Sequence, residues 1–249
     1  SWLCVGLDMD PEALETNSIE VLRDHTFKVI DATHDLAIAY KPNFAFFERW
    51  GAEGFTWLEE TVSYIGNDHI KIADAKRGDI GNTAMQYAKS IFKHFRFDCV
   101  TLSPYMGKDS IDPFITNPEN GVFILCKTSN PSGADFQNHD TDGLPLYEKV
   151  ASWANSLNKN NNVGLVVGAT VPNDLERVRE ISHDLPLLIP GVGAQGGDLE
   201  QSVKIGNQSS VGIINVSRGI SFAGDMGPIA IRSAAEEYVN KMRNFMDQE

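Results

Sequence analysis

The sequence predicts an α/β fold, a single (β/α)8 TIM barrel, and three observations carry that prediction. Eight short apolar runs recur roughly 25 to 40 residues apart. Each is continuous rather than alternating, the pattern of a strand covered on both faces. Amphipathic helical stretches fall between them, and eight such units in 249 residues suit a barrel of this kind. A doubly wound open sheet is the alternative reading of the same alternation.

The runs are WLCVGL (2–7), LAIAYK (36–41), IKIADA (70–75), DCVTLS (98–103), VFILCK (122–127), VGLVVG (163–168), LPLLIPGV (185–192) and VGIINV (211–216). Between them, AMQYAKSIFKHF (84–95) sets Ala84, Ala88, Ile91, Phe92 and Phe95 on one helical stripe, with Asn82 or Thr83 as its cap. PNDLERVREIS (172–182) opens with proline and acids and aligns Leu175, Val178 and Ile181. PLYEKVASWANSL (145–157) reads as a third helix. The polar stretch NPSGADFQNHDTDG (130–143) is expected to be a mobile loop over a site. No linker composition interrupts the chain, so residues 1–249 are expected to form one domain.

Composition narrows the function classes. With 21 basic and 34 acidic residues the net charge is −13, which disfavours nucleic acid or an anionic membrane as partner. A negatively charged substrate then needs a local positive site. No run is long enough to span a membrane. The chain opens SWLCVGLD with no initiator Met or leader, so its native N-terminus is expected to lie upstream. Cys4, Cys99 and Cys126 are odd in number, lack metal-ligand spacing and lie in or beside apolar runs. They read as buried free thiols of a cytoplasmic protein. The six histidines do not cluster, and the four tryptophans read as packing residues.

A barrel carries its site at the C-terminal ends of its strands, and those ends are rich in charge here. The first run ends in Asp8, the second in Lys41, and the third in Asp74 and Lys76. Charges at strand ends are costly to desolvate unless paired, and opposite signs are available on neighbouring strands. Asp74 and Lys76, two apart, face the same side of a strand. Asp79 follows three residues later, completing an alternating Lys41, Asp74, Lys76, Asp79 array, with Arg77 out of line and structural. An ammonium in such an array can act as a general acid, and a carboxylate can press on a substrate anion. The seventh and eighth runs lead into GVGAQGG and Arg218, the elements of a phosphate site.

The motif DAKRGDIGNTA (74–84), with YKPN upstream and PGVGAQGGD and SRG downstream, resembles the orotidine 5′-phosphate decarboxylase family, in its longer bacterial-type subgroup with the signature D-A-K-R-G-D-I-G-x-T. The likeness runs from GLD near the start to SRG at 217–219. It implies decarboxylation of orotidine 5′-monophosphate to UMP, the last step of de novo pyrimidine synthesis, with no metal and no organic cofactor. Lys76 is then the proton donor to C6, and Asp74 faces the substrate carboxylate. Asp8 and Lys41 hold the ribose hydroxyls, and Ser129 touches the pyrimidine. Gln195 and Arg218 bind phosphate. Asp79, with Ile80 and Thr83 beside it, is expected to complete the neighbouring site of a homodimer. The sequence has SNPSG where the family more often has SNPG. Two rivals remain. One is a related Mg²⁺-dependent sugar-phosphate barrel, which carries a metal-binding Glu where this chain has Lys41. The other is a non-catalytic nucleotide-binding barrel.

Overall fold

The computed structural model describes residues 1–193 and 196–247. In chain order the strands are β1 (Leu3–Leu7), β2 (Ala39–Pro42), β3 (Ile70–Arg77), β4 (Cys99–Leu102) and β5 (Gly121–Lys127). They continue with β6 (Asp140–Thr141), β7 (Leu144–Pro145), β8 (Val163–Val167), β9 (Leu187–Pro190) and β10 (Gly212–Val216). Eight of them close a barrel in the order β1-β10-β9-β8-β5-β4-β3-β2, and every pair in it is parallel. The fold is the (β/α)8 TIM barrel, with each of the eight sequence runs on one barrel strand. The remaining pair, β6 and β7, forms a small antiparallel hairpin.

Side chains alternate along each strand, and here the alternation separates two cores. Cys4, Ala39, Ile72, Phe123, Val166, Leu188 and Ile213, one from each of seven barrel strands, fill the barrel interior, with Cys99 of β4 packed against them. Residues at the other parity, such as Leu3, Val5, Ala73, Val100, Leu165 and Ile214, face the surrounding helices in a larger core. The interior plug is fitted by size. A Cβ on Gly164 would lie 2.8 Å from the Phe123 ring, so a glycine on β8 makes room for the phenyl of β5. All three thiols are free, and burial pushes each of them up to about 12, leaving them neutral.

Helices cover the outside as their stripes require. Residues 172–181 form one, with Pro172 in its first turn and Leu175 and Val178 buried. Beside that stripe lies a residue the periodicity did not place inside: Arg179, 2% exposed. Its guanidinium donates to the carbonyls of Ser182 (3.1 Å), His183 (3.3 Å) and Leu185 (2.8 Å), and to that of Gly206 (2.6 Å). It therefore ties the approach to β9 to the end of the next helix, residues 199–206.

Two local expectations are corrected. Asn82 and Thr83 do not cap the helix after β3. That helix starts at Gly81 with extended Ile80 before it and no side-chain cap bond. The Asn82 carbonyl instead accepts from Gln86 one turn on (3.0 Å). The helix covers Gly81–Lys89 and passes into a π-turn over Ser90–His94, which still buries Ala84, Ala88, Ile91 and Phe95. The stretch 130–143, expected as a loop, has secondary structure of its own. It holds a 3₁₀ turn at Pro131–Gly133, a short helix at Ala134–Gln137 and strand β6.

Replacing Arg179 with Ala removes the donor from the Leu185 and Gly206 carbonyls, while those of Ser182 and His183 keep a second donor, and opens a void. Urea denaturation is expected to show a loss of about 3 kcal/mol; a loss below about 1 kcal/mol would show that water substitutes for the guanidinium.

Candidate active site

The interior parity that builds the apolar plug continues upward into polar residues. From Cys4 it reaches Asp8, from Ala39 it reaches Lys41, and from Ile72 it reaches Asp74. Cys99 leads to Thr101, and Ile213 leads to Asn215. These side chains line a cavity of about 330 Å³ at the C-terminal end of the barrel, together with Lys76, Asn43, Ser129 and Arg218. That volume suits a small ligand. Glycine at position 6 keeps the cavity floor clear, because a Cβ there would lie 1.9 Å from the Ser217 hydroxyl oxygen.

The centre of the site is one carboxylate between two ammonium groups. Lys41 Nζ donates to Asp74 Oδ2 at 2.6 Å, and Lys76 Nζ donates to Asp74 Oδ1 at 2.5 Å. The Lys41 and Asp74 side chains are 4% and 11% exposed, while that of Lys76 is 52% exposed. Burial alone pushes the Asp74 carboxyl up, but the Lys41 and Lys76 charges outweigh it and hold it well below the usual carboxylate range. For Lys41, burial pushes down, yet Asp74 and then Asp8 overcome it and raise the ammonium above its ordinary value. Lys41 and Asp74 therefore both stay charged at neutral pH.

The pair meets by a different route from the one the spacing implied. Regular alternation would set Asp74 and Lys76 side by side. Instead the β3–β4 register shifts between Ala73 and Arg77, and Lys76 has φ +46°, the left-handed region. Arg77 turns away from the cavity, as its place in the motif predicts. It pairs with Glu48 at 2.7 Å and stacks over Phe44 and Tyr87.

Of the site residues read from the sequence, Asp8, Lys41, Asp74, Lys76, Ser129 and Arg218 come together around this cavity. Asp79, Ile80 and Thr83 are not among its lining residues. Ile80 and Thr83 are exposed, and Asp79 is half-buried and accepts from the Ile80 N–H at 2.8 Å. Gln195 lies outside the described residues. Near it, Gly191 and Gly193 adopt φ +98° and +79°, so the glycine-rich turn after β9 needs residues without a Cβ.

Three contributors escaped the sequence reading. Thr101 and Asn215 are polar residues on interior positions of apolar runs, a signal that period-two counting could have found. Lys127, at the end of β5, is buried. It donates to the Asn138 side-chain carbonyl, lies 3.4 Å from Asp174, and sits 5.1 Å over the Tyr147 ring. With Thr128 N donating to Gln137 at 2.9 Å, it anchors the segment that carries Ser129.

The Asp74 environment has a pH signature. Its folded pKa is depressed, so its stabilising contribution is present above the unfolded value of about 3.9 and is lost as pH falls below it. The stability gap between the native protein and Asp74→Asn is therefore expected to narrow as pH falls from about pH 5 to about pH 2. A gap constant over that range in urea denaturation would contradict the pairing.

Comparison with known proteins identifies the family. The family model for orotidine 5′-phosphate decarboxylase / HUMPS matches residues 1–231. The orotidine 5′-phosphate decarboxylase of Halorubrum lacusprofundi is 50% identical over 236 residues, covering 90% of this chain and 84% of that protein. The Leishmania donovani OMP decarboxylase structure superposes with a TM-score of 0.89 at 42% identity, covering 98% of this chain and 93% of that one. The Leishmania donovani UMP synthase structure gives a TM-score of 0.92 at 44% identity; it covers 98% of this chain, which spans only 54% of the synthase chain. By its motif, its barrel and these relatives, the chain belongs to the orotidine 5′-phosphate decarboxylase / HUMPS family.

Proposed function

We propose that this protein converts orotidine 5′-monophosphate to UMP and CO₂, as a cytoplasmic single-domain homodimer of the longer family subgroup. One observation carries the reading: a buried Lys41 and a half-exposed Lys76 share the two oxygens of Asp74 in the barrel mouth. In this mechanism the substrate carboxylate rests against Asp74. The bond from C6 to that carboxylate breaks, its electron pair stays on C6, and the Lys76 ammonium delivers a proton to that carbon. Lys76 then regains its proton from solvent. Fixed charge that needs no reorganisation is the kind of effect that lowers so high a barrier.

The remaining contacts follow from the same pose. Asp8 Oδ1 is buried without a hydrogen-bond partner among the described residues, which suits it to accept from a ribose hydroxyl beside Lys41. Ser129 faces the pyrimidine, and Arg218 binds phosphate together with Gln195. Local cations at Lys41, Lys76 and Arg218 offset the −13 of the whole chain where the anion binds. Asp79, Ile80 and Thr83 are assigned to the neighbouring site of the dimer. In support, Ile80, Met85, Tyr87, Tyr105 and Met106 are exposed apolar residues in or beside the helix Gly81–Lys89 and in the loop after β4. The Mg²⁺-dependent sugar-phosphate reading is disfavoured because the Lys41 ammonium occupies the approach to Asp74. No metal or organic cofactor has a role in this reaction.

Three measurements test the proposal. Loss of orotidine 5′-monophosphate absorbance in the ultraviolet is expected with EDTA present, and Lys76→Ala is expected to lose at least about a thousandfold in turnover while staying folded. No turnover by the native chain would overturn the substrate assignment; a variant retaining a tenth of native turnover would remove Lys76 as proton donor. Mixing equal amounts of inactive Lys76→Ala and inactive Asp79→Ala should recover about a quarter of native activity, because about half of the dimers are mixed and each of those has one intact site of two. No recovery on subunit exchange would place Asp79 in its own chain's chemistry or in none.

A further inference from the structure

We infer that Thr101 is a positioning residue that sets the geometry of the Asp74–Lys76 pair, an inference that rests on the decarboxylation proposed above. The observation is a two-residue excess in one strand. Ala73 pairs with Val100 and Arg77 pairs with Leu102, so β3 takes four steps where β4 takes two. The extra residues bulge out and cannot use the ladder. Their N–H groups need another acceptor.

Thr101 supplies that acceptor with a single atom. Its Oγ1 receives the N–H of Ala75 at 3.1 Å and the N–H of Lys76 at 3.0 Å. Its own proton is directed at Asp74 Oδ1 (3.3 Å) or the Ala73 carbonyl (3.5 Å). Thr101 is 2% exposed, so these bonds form in a desolvated setting. The consequence falls on Lys76. A lysine at φ +46° is in a region that side chains with a Cβ seldom adopt, and it persists only where neighbours over-determine it. The hydroxyl of Thr101 holds both the strained residue and the amide before it. The position also has the right parity, since two residues on from Cys99 returns the side chain to the barrel interior. A valine here would keep the shape and β-branching but lose every one of these bonds, whereas a serine would keep the oxygen.

The test compares Thr101→Val with Thr101→Ser. The valine variant is expected to lose about a hundredfold in kcat, the effect of misplacing a reacting group by about 1 Å, with UMP affinity unchanged. The serine variant should recover most of that loss. Independently of activity, amide exchange followed by NMR in the unliganded protein should show Ala75 and Lys76 losing protection in the valine variant only. If Thr101→Val does not fold, Thr101→Ala removes the same oxygen and is read in the same two ways. A kcat within twofold of native, a matching loss of UMP affinity, or unchanged protection of the two amides would each overturn the assignment. An inactive native chain would sink the proposed reaction instead, and the amide exchange would still decide the role of Thr101.

Discussion

The Asp74 carboxylate held between Lys41 and Lys76 is the constraint around which the upper barrel is arranged. A buried carboxylate alone would be too costly to keep charged, and a buried Lys41 alone would be equally so. Each makes the other tenable, and removing either strands its partner's charge in a desolvated site. This explains why the polar layer of the barrel is so tightly interlinked. Asp8 adds a second negative charge near Lys41, and Thr101 fixes the backbone from which Asp74 and Lys76 project.

That layer depends on the one beneath it. The interior of the barrel is plugged by small and large apolar side chains in complementary positions, as with Gly164 beside Phe123. A dry plug limits water to the open mouth and lets charges above it act on one another through a low-dielectric environment. The long β5 connection does related work at the rim. Lys127 is buried with Asn138, Asp174 and Tyr147 around it, so the segment bearing Ser129 is anchored at its base. A protein of strongly negative net charge thus presents a cavity in which Lys41, Lys76 and Arg218 outnumber Asp8 and Asp74.

Much of this was legible beforehand. All eight barrel strands lay on the apolar runs, and the charged strand ends named five residues that line the cavity, Asp8, Lys41, Asp74, Lys76 and Arg218, with Ser129 added by the family resemblance. The helix at 172–181 followed its stripe, but Arg179 did not, because only the carbonyls of two later elements make its burial tolerable. The capping expectation at Asn82 failed because Ile80 enters the helix extended and Asn82 finds a partner one turn on. The hairpin in 140–145 was invisible because two-residue strands carry no periodic signal.

The amino-acid sequence by itself determined which residues share the barrel interior, because side-chain parity on a strand is a local property of the backbone. It also determined that the strand ends would be charged. Tertiary structure alone decided which charges meet. Lys41 and Asp74 lie 33 residues apart and are joined by the lateral pairing of β2 and β3. The register shift that turns Lys76 into the left-handed region exists only where β3 runs against the shorter course of β4. Thr101 gains its partners from that mismatch, and no local pattern around position 101 encodes it, because the unpaired amides belong to another strand.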